Sequence, residues 1–327
     1  MRARSRRFFY QSWLVGLAVL AGACGNTATT LAKVSTAPRP GSTSSSTALS
    51  ISGSLPGQGG GGTTSTSPSF SHGVSGLLGG LHWIIAANVI GLLDKNGSNA
   101  LARRAFDNSN TNILLNGNVL PSQLANWGST FTIDLRSVLG VSASQLSSSK
   151  NAGFGSVLYD PEHWSFTPIS EQENVSLATG SLVRLAQPSN LSVIVAPGLD
   201  LMALSSPGEN RASAFLASGL IQSISKVAFG IVIQSQSMET SVAVYSRFVK
   251  QAAELARSVN PTISIYAGLS TGPNGQVVSS SQLVRDVAAT HSFVLGYWLN
   301  VPGQGPSCPK CAVANPEVAV GLLDALA

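Results

Sequence analysis

Beyond residue 75 one pattern limits what this chain can fold into. Apolar runs of five to seven residues recur, each followed by a polar turn and a longer segment of helical spacing. The runs are 81–87 (LHWIIAA), 111–115 (TNILL), 130–134 (TFTID), 156–160 (SVLYD), 192–196 (SVIVA), 229–235 (FGIVIQS), 263–268 (ISIYAG) and 293–299 (FVLGYWL). Several are apolar at consecutive positions, as in strands covered on both faces, where a half-exposed strand would alternate. The clearest helical stretches are 170–187, 211–223, 239–258, 279–289 and 316–327. In 239–258, Val242, Tyr245, Phe248, Val249, Ala252, Ala253 and Ala256 fall three to four residues apart, so one face is buried. "SSSQL" and "NPEVA" supply helix starts, the second with Pro316 in the first turn. Eight strands alternating with helices predict an α/β fold, a (β/α)8 TIM-type barrel over 76–327. An open doubly wound sheet remains as the alternative if 81–87 is helical. No glycine-rich dinucleotide or phosphate loop follows any strand, which disfavours the open-sheet cofactor enzymes, and no cofactor is expected.

The residues before the barrel read differently. Arg2, Arg4, Arg6 and Arg7 precede an apolar stretch, Trp13 to Ala23, that is too short to span a bilayer. Residues 1–24 are expected to be an export signal of the lipoprotein type. "LAGAC" resembles a lipoprotein cleavage box, with Cys24 as the lipidated residue, and "SRRFF" resembles the front of a twin-arginine signal. Residues 25–75, with "GSTSSST" and "GQGGGGTTSTSPS", are expected to be a flexible tether, too polar to bury a core. The expected location is extracytoplasmic, lipid-anchored at the membrane or secreted.

Charge follows from this division. The formal net charge is +5, and residues 1–24 hold four arginines and no acid, which leaves +1 for the rest. With no Lys/Arg cluster outside the leader, nucleic acid is not an expected partner. Cys308 and Cys311, in "CPKC", are expected to form a tight disulfide outside the cytoplasm. Half a zinc site would need two more ligands, and the four histidines are scattered, so no metal is expected.

In a barrel of this kind the site is built where strands end and βα loops begin. The unusual residues gather there. The fourth run ends Asp160-Pro161-Glu162, and residues two apart in a strand point the same way. His163 and Trp164 follow. Gln234 and Gln236 end the sixth run with Glu239 close behind, Trp298 and Asn300 end the eighth, Asp134 ends the third, and Asp200 follows the fifth. Two carboxyls held close cannot both ionise comfortably, so one becomes a proton donor near neutral pH. Glycoside hydrolysis needs such a donor, a tryptophan face suits a sugar ring, and paired amides suit hydroxyls. If two carboxyls act from opposite sides of the sugar, the second must come from Asp200, Glu239 or Asp134.

A D-x-E at the end of the fourth strand, with a tryptophan ending the eighth, resembles the chitinase-type family 18 glycoside hydrolases, (β/α)8 barrels with the signature DxxDxDxE. The resemblance implies Glu162 as general acid/base, Asp160 as the carboxyl that orients the substrate's N-acetyl group, and Trp298 as the floor of the sugar subsite. The two earlier aspartates of that signature fall on Gly155 and Leu158, and Pro161 stands between the surviving pair. Catalysis therefore rests on Glu162 and Asp160. Trp298, Gln234, Gln236, Asn300, Trp164, Asp200 and Glu239 are the expected substrate-binding residues, and a glycan or other envelope ligand is the expected partner. Two other readings stay open: a non-catalytic carbohydrate- or envelope-binding barrel, and a scaffold. An enzyme requires Glu162 in an open cleft with a second carboxyl in reach. A binding barrel predicts exposed aromatics and Glu162 locked in a salt bridge. A scaffold predicts loops that fill the mouth.

Overall fold

The computed structural model describes residues 74–117, 119–305, 308 and 311–327. The expected signal peptide, lipidated Cys24 and the tether up to residue 73 lie outside the described residues. Eight strands run β1 His82–Ala86, β2 Thr111–Leu115, β3 Thr130–Leu135, β4 Phe154–Tyr159, β5 Ser192–Val195, β6 Gly230–Ile233, β7 Ser264–Ser270 and β8 Gly296–Asn300. Each pairs in parallel with the next, and β8 returns to β1 with Trp298 beside Ile84, which closes a barrel. The open-sheet alternative falls with that closure.

Helices cover the outside where the apolar spacing placed them. The longest, Val242–Val259, buries Tyr245, Phe248, Val249, Ala252, Ala253 and Ala256, the predicted stripe. Two expected helices are interrupted. The segment 170–187 divides into Ile169–Glu173 and Val175–Ala186 at Asn174, whose backbone is non-helical and whose amide donates to the Ser170 carbonyl at 3.2 Å. The segment 211–223 divides into Arg211–Ala217 and Leu220–Ser225. Between β2 and β3 the described residues form only a single 3-10 turn, Ser122–Leu124, and no α-helix. There Leu124 and Trp127 are buried in place of a helix face, and the Arg103 guanidinium lies 5.2 Å above the Trp127 ring.

The barrel interior has two storeys, because side chains alternate along each strand. The lower is polar. The Asn112 Oδ1 accepts from the hydroxyls of Thr132 (3.2 Å) and Ser156 (3.1 Å), which also bond each other at 2.6 Å. Above it, Ile84, Leu114, Leu158, Ile194, Val232, Tyr266 and Trp298 form an apolar plug. The plug closes the lumen, so ligand access is confined to the carboxyl ends of the strands.

The two ends of the described domain meet at the opposite face. Val74 and Leu78 are already core residues, and the Leu78 N–H donates to the Leu326 carbonyl at 2.9 Å. No helix among the described residues is long and apolar enough to cross a membrane.

Candidate active site at the carboxyl ends of the strands

The strand ends enclose an open cavity of about 830 Å³. Asp134, Asp160, Glu162, Asp200, Gln234, Gln236, Trp164, Trp298 and Asn300 all line it. The scaffold reading, which required a filled mouth, is disfavoured. Glu239 is the exception among the expected site residues. After β6 the chain tightens into a 3-10 turn at Gln236–Met238, which carries Glu239 behind β7. There it is fully buried, and its Oε1 accepts from the Ser270 N–H at 2.6 Å. Glu239 therefore holds the end of β7 and does not line the cavity.

Asp160 continues the inward-facing set of β4 just past its last residue, and its own N–H donates to the Leu135 carbonyl at 2.8 Å, extending the ladder to β3. Only 5% of it is exposed. Gln234 Nε2 donates to its Oδ1 at 2.9 Å and to the Ala196 carbonyl at 2.8 Å, so the amide bridges β4, β5 and β6 beneath the cavity. Burial, then the charges of Glu162 and Asp134, push the Asp160 carboxyl well above the usual range, against the opposing pull of Arg136.

Glu162 stands one turn of chain higher. Burial first, then the charge of Asp200, raise its pKa to about 7, with Arg136 opposing. Asp200 is placed by the His163 N–H, which donates to its Oδ1 at 3.1 Å. Both side chains crowd Gly198: a Cβ there would lie 2.5 Å from Asp200 Oδ1 and 2.9 Å from Glu162 Cγ. Only glycine permits this approach of Glu162 and Asp200. Gly268 plays the same part across the mouth, where a side chain would collide with the amide of Gln236.

Arg136, which the strand-end reading missed, is the main cation in this group. It follows Asp134 by two residues, the same spacing that marks Asp160 and Glu162. Its Nη2 lies 3.6 Å from Asp134 Oδ2 with a third of the arginine side chain exposed, a pair worth at most about 1 kcal/mol. Its guanidinium stacks 5.1 Å from the Trp164 ring and 5.6 Å from Phe166. One face of Trp164 is therefore taken by Arg136, while its Nε1 donates to Thr167 Oγ1 at 2.9 Å. The Asp134 carboxyl is raised above its usual range, mainly by burial, and its Oδ1 is buried without a hydrogen bond.

A second missed residue sets this arrangement. The Glu171 carboxyl accepts from Ser137 Oγ (2.8 Å), from the backbone N–H groups of Val138 (2.9 Å) and Leu139 (2.8 Å), and from the Tyr159 hydroxyl (2.9 Å). These bonds pin the loop that carries Arg136. Thr167 Oγ1 donates to the Arg136 carbonyl at 2.8 Å, and Gln172 Nε2 donates to the carbonyls of Trp164 (2.9 Å) and Thr167 (2.6 Å). His163 joins the same network through Nδ1 and Gln172 Oε1 at 2.7 Å.

Cys308 and Cys311 are joined by a disulfide with Cα atoms 5.3 Å apart, and both border the mouth on the side of β8. Trp298, 8% exposed, is the top of the apolar plug and the floor of the cavity. Among the described residues no three His, Cys, Asp or Glu side chains are grouped to hold a metal ion. No residue among those described forms a salt bridge with Glu162.

The arrangement can do proton chemistry. It has one carboxyl poised near neutrality, a buried partner two residues before it, and a third carboxyl against it from another strand end. No protein-family model matches this chain, and no curated protein matches it. Among solved structures, the chain is similar to triosephosphate isomerase from Bartonella henselae, with 16% sequence identity and a TM-score of 0.41, over 67% of this chain and 92% of that one.

Proposed function

We propose that this barrel is a glycoside hydrolase-like protein of the cell surface, with Glu162 as general acid/base and Asp160 assisting. The single observation that carries the reading is Glu162 itself: a carboxyl with pKa about 7, lining an open cavity, with no ion pair among the described residues. A carboxyl raised from its ordinary value toward neutrality can both give and take a proton. In the forward step Glu162 gives its proton to the glycosidic oxygen as the bond from that oxygen to the anomeric carbon breaks. The departing sugar leaves as an alcohol, and the anomeric carbon takes up an oxygen nucleophile. Glu162, now ionised, then accepts the proton of the incoming water. Asp160, held by Gln234, meets the developing positive charge or the substrate's own N-acetyl group. Asp200 is the further carboxyl beside Glu162. Trp298 provides an apolar floor for a sugar ring, and Gln236 and Asn300 supply hydrogen bonds to hydroxyls.

The binding-barrel reading called for exposed aromatics and a salt-bridged Glu162. Glu162 forms no salt bridge among the described residues, which favours the enzyme, while the aromatics are mixed, Trp298 nearly buried and Phe166 beside Trp164 exposed. Lipidation at Cys24, export and the tether belong to the same proposal, as the sequence features that would place the barrel outside the cytoplasm.

The test is a screen of envelope and storage glycans with the wild-type protein and Glu162→Gln. Hydrolysis by the wild type, reduced about 10²–10⁴-fold in a folded variant, is the expected outcome. A wild type that binds glycans and cleaves none would make it a binding barrel.

A further inference from the structure

The face opposite the mouth has a chemistry that the proposed reaction does not use. Helices of such a barrel run back against the strands, so their last turns share one face with the first residues of the strands. Here basic side chains spread round that face from β2 to β7. Arg104, Lys150, Arg184 and Arg257 lie in the last turns of helices Asn99–Phe106, Ala143–Asn151, Val175–Ala186 and Val242–Val259, and Lys226 caps the helix before β6. All of them are exposed, and none has an ion pair among the described residues. Of the acids on this side, Asp107 pairs with Arg103, Glu254 pairs with Lys250, and Asp94 stands beside Lys95. Among the described residues that leaves the Asp324 side chain alone against the cations.

The barrel as a whole does not share this sign. Outside the leader the chain carries +1, and Lys33 and Arg39 precede the barrel, so residues 74–327 carry −1. The surplus of acid sits at the mouth, where Asp134, Asp160, Glu162 and Asp200 share the cavity with Arg136 and Arg211. Charge is therefore separated along the barrel axis. Helix dipoles favour cations at the ends of helices, but they do not favour apolar side chains in water. Yet Val227 and Phe229, in the loop before β6, are 46% and 54% exposed, and Leu295, just before β8, is exposed as well. The Ser264 N–H donates to the Phe229 carbonyl at 3.2 Å and the Leu295 N–H to the Ile265 carbonyl at 2.7 Å, which sets both residues beside the start of β7. The chain also enters the barrel on this side. Leu78 is bonded to Leu326 here, and residues 25–73 before it contain Lys33 and Arg39 and no acid.

We infer that the amino-terminal face of the barrel docks on an anionic lipid bilayer, which points the mouth away from the membrane. Negative headgroups match the unpaired cations, and Val227, Phe229 and Leu295 are placed to enter the interface between headgroups and acyl chains. Each basic group within a Debye length of such a surface strengthens binding about fivefold, and the apolar side chains fix which way the barrel stands. The inference rests on the extracytoplasmic, membrane-linked placement proposed above. It does not rest on the chemistry of the mouth, and it holds with or without a lipid on Cys24.

The experiment uses the full chain with Cys24→Ser and vesicles of phosphatidylcholine, either alone or with about a third phosphatidylglycerol. Co-sedimentation in about 0.1 M salt should show at least about tenfold stronger partitioning to the anionic vesicles. The arginines of the leader also attract such vesicles, so the docked face is read directly. A fluorophore on Val227→Cys should shift to the blue and be quenched by spin-labelled lipid. The same fluorophore on Val277→Cys, in the loop between β7 and helix Ser280–Thr290 at the mouth, should do neither. Arg257→Glu should weaken partitioning at least about fivefold. Arg247→Glu, on the same helix about 15 Å nearer the mouth, makes the same change in net charge and should weaken it less than about twofold. Equal partitioning to both kinds of vesicle overturns the inference. So do labels that respond alike, or arginine variants that weaken binding alike, the marks of attachment through the leader. A Val227→Cys signal that rises with protein concentration in the absence of vesicles assigns the face to a second copy, and overturns the inference too. Hydrolysis plays no part in these readings, so this test and the glycan screen can fail separately.

Discussion

At neutral pH a carboxyl group keeps a proton only where ionisation is made costly. Around Glu162 two things make it so: removal from water, and the charge of Asp200 brought close by Gly198. The second can be removed without touching Glu162. Asp200→Asn should lower the pKa of Glu162, so the alkaline limb of kcat/KM should move to lower pH, as a pH profile would record. An unmoved limb would mean that Glu162 does not set it. Of these residues, Asp160 and Glu162 were legible because the D-x-E spacing at a strand end places both toward the lumen. Asp134 and Arg136 have the same spacing one strand earlier, and that was the signal for Arg136. Glu239 was misplaced because nearness in sequence to the end of β6 says nothing about the 3-10 turn that swings it behind β7.

At the scale of elements, the loop from Ser137 to Leu139 is tied to the rest of the fold by the Glu171 carboxyl, from a helix more than thirty residues further along the chain. Sequence gave no warning of this. Glu171 reads as an ordinary first-turn helical acid, and its four donors come from β4 and the β3 loop. Only 8% of Glu171 is exposed. Glu171→Ala would strand those donors, and a loss of about 3 kcal/mol is expected in urea unfolding. The loop would no longer fix Arg136, so the same variant should also shift the pH profile assigned to Glu162. A variant that is destabilised but has an unchanged profile would show that Arg136 is held by its aromatic neighbours instead. The strands were far easier to foresee than such contacts. All eight runs became strands within a few residues of their expected bounds, because most hold three or more consecutive apolar residues, as two-sided burial demands, and TFTID alternates with the period of a strand. The helix breaks at Asn174 and near Gly219 were not foreseen, since the apolar spacing continues across both.

At the scale of the whole molecule, several buried acids bind protons more tightly folded than unfolded. Burial raises Glu162 from 4.5 to about 7, Glu239 from 4.5 to about 9 and Asp286 from 3.8 to about 7, and Asp160 is raised well above its ordinary value. Their combined effect has a fixed sign. Above about pH 4 the unfolded chain releases these protons while the folded chain keeps them, so stability falls as pH rises through the folded-state values. His82, lowered by burial, acts in the opposite sense but alone. Melting temperature should therefore decline from about pH 5 toward pH 9, measured by scanning calorimetry. Glu239→Gln should flatten the upper part of that decline, between about pH 7 and pH 9. A melting temperature that rises from pH 5 to pH 8 would contradict this account.

The contact between Leu78 and Leu326 has a further consequence. Where the first and last turns of a domain touch, a few added residues can join them, and the opening can be moved elsewhere. The helix-free crossover between β2 and β3 is the natural place, because cutting there severs no α-helix and Val119 on that loop is 83% exposed. A rearranged chain beginning near Leu120 should fold to the same cylinder and keep whatever chemistry the mouth performs. The order in which the strands are strung is then incidental, and the ring they close is what the chemistry requires.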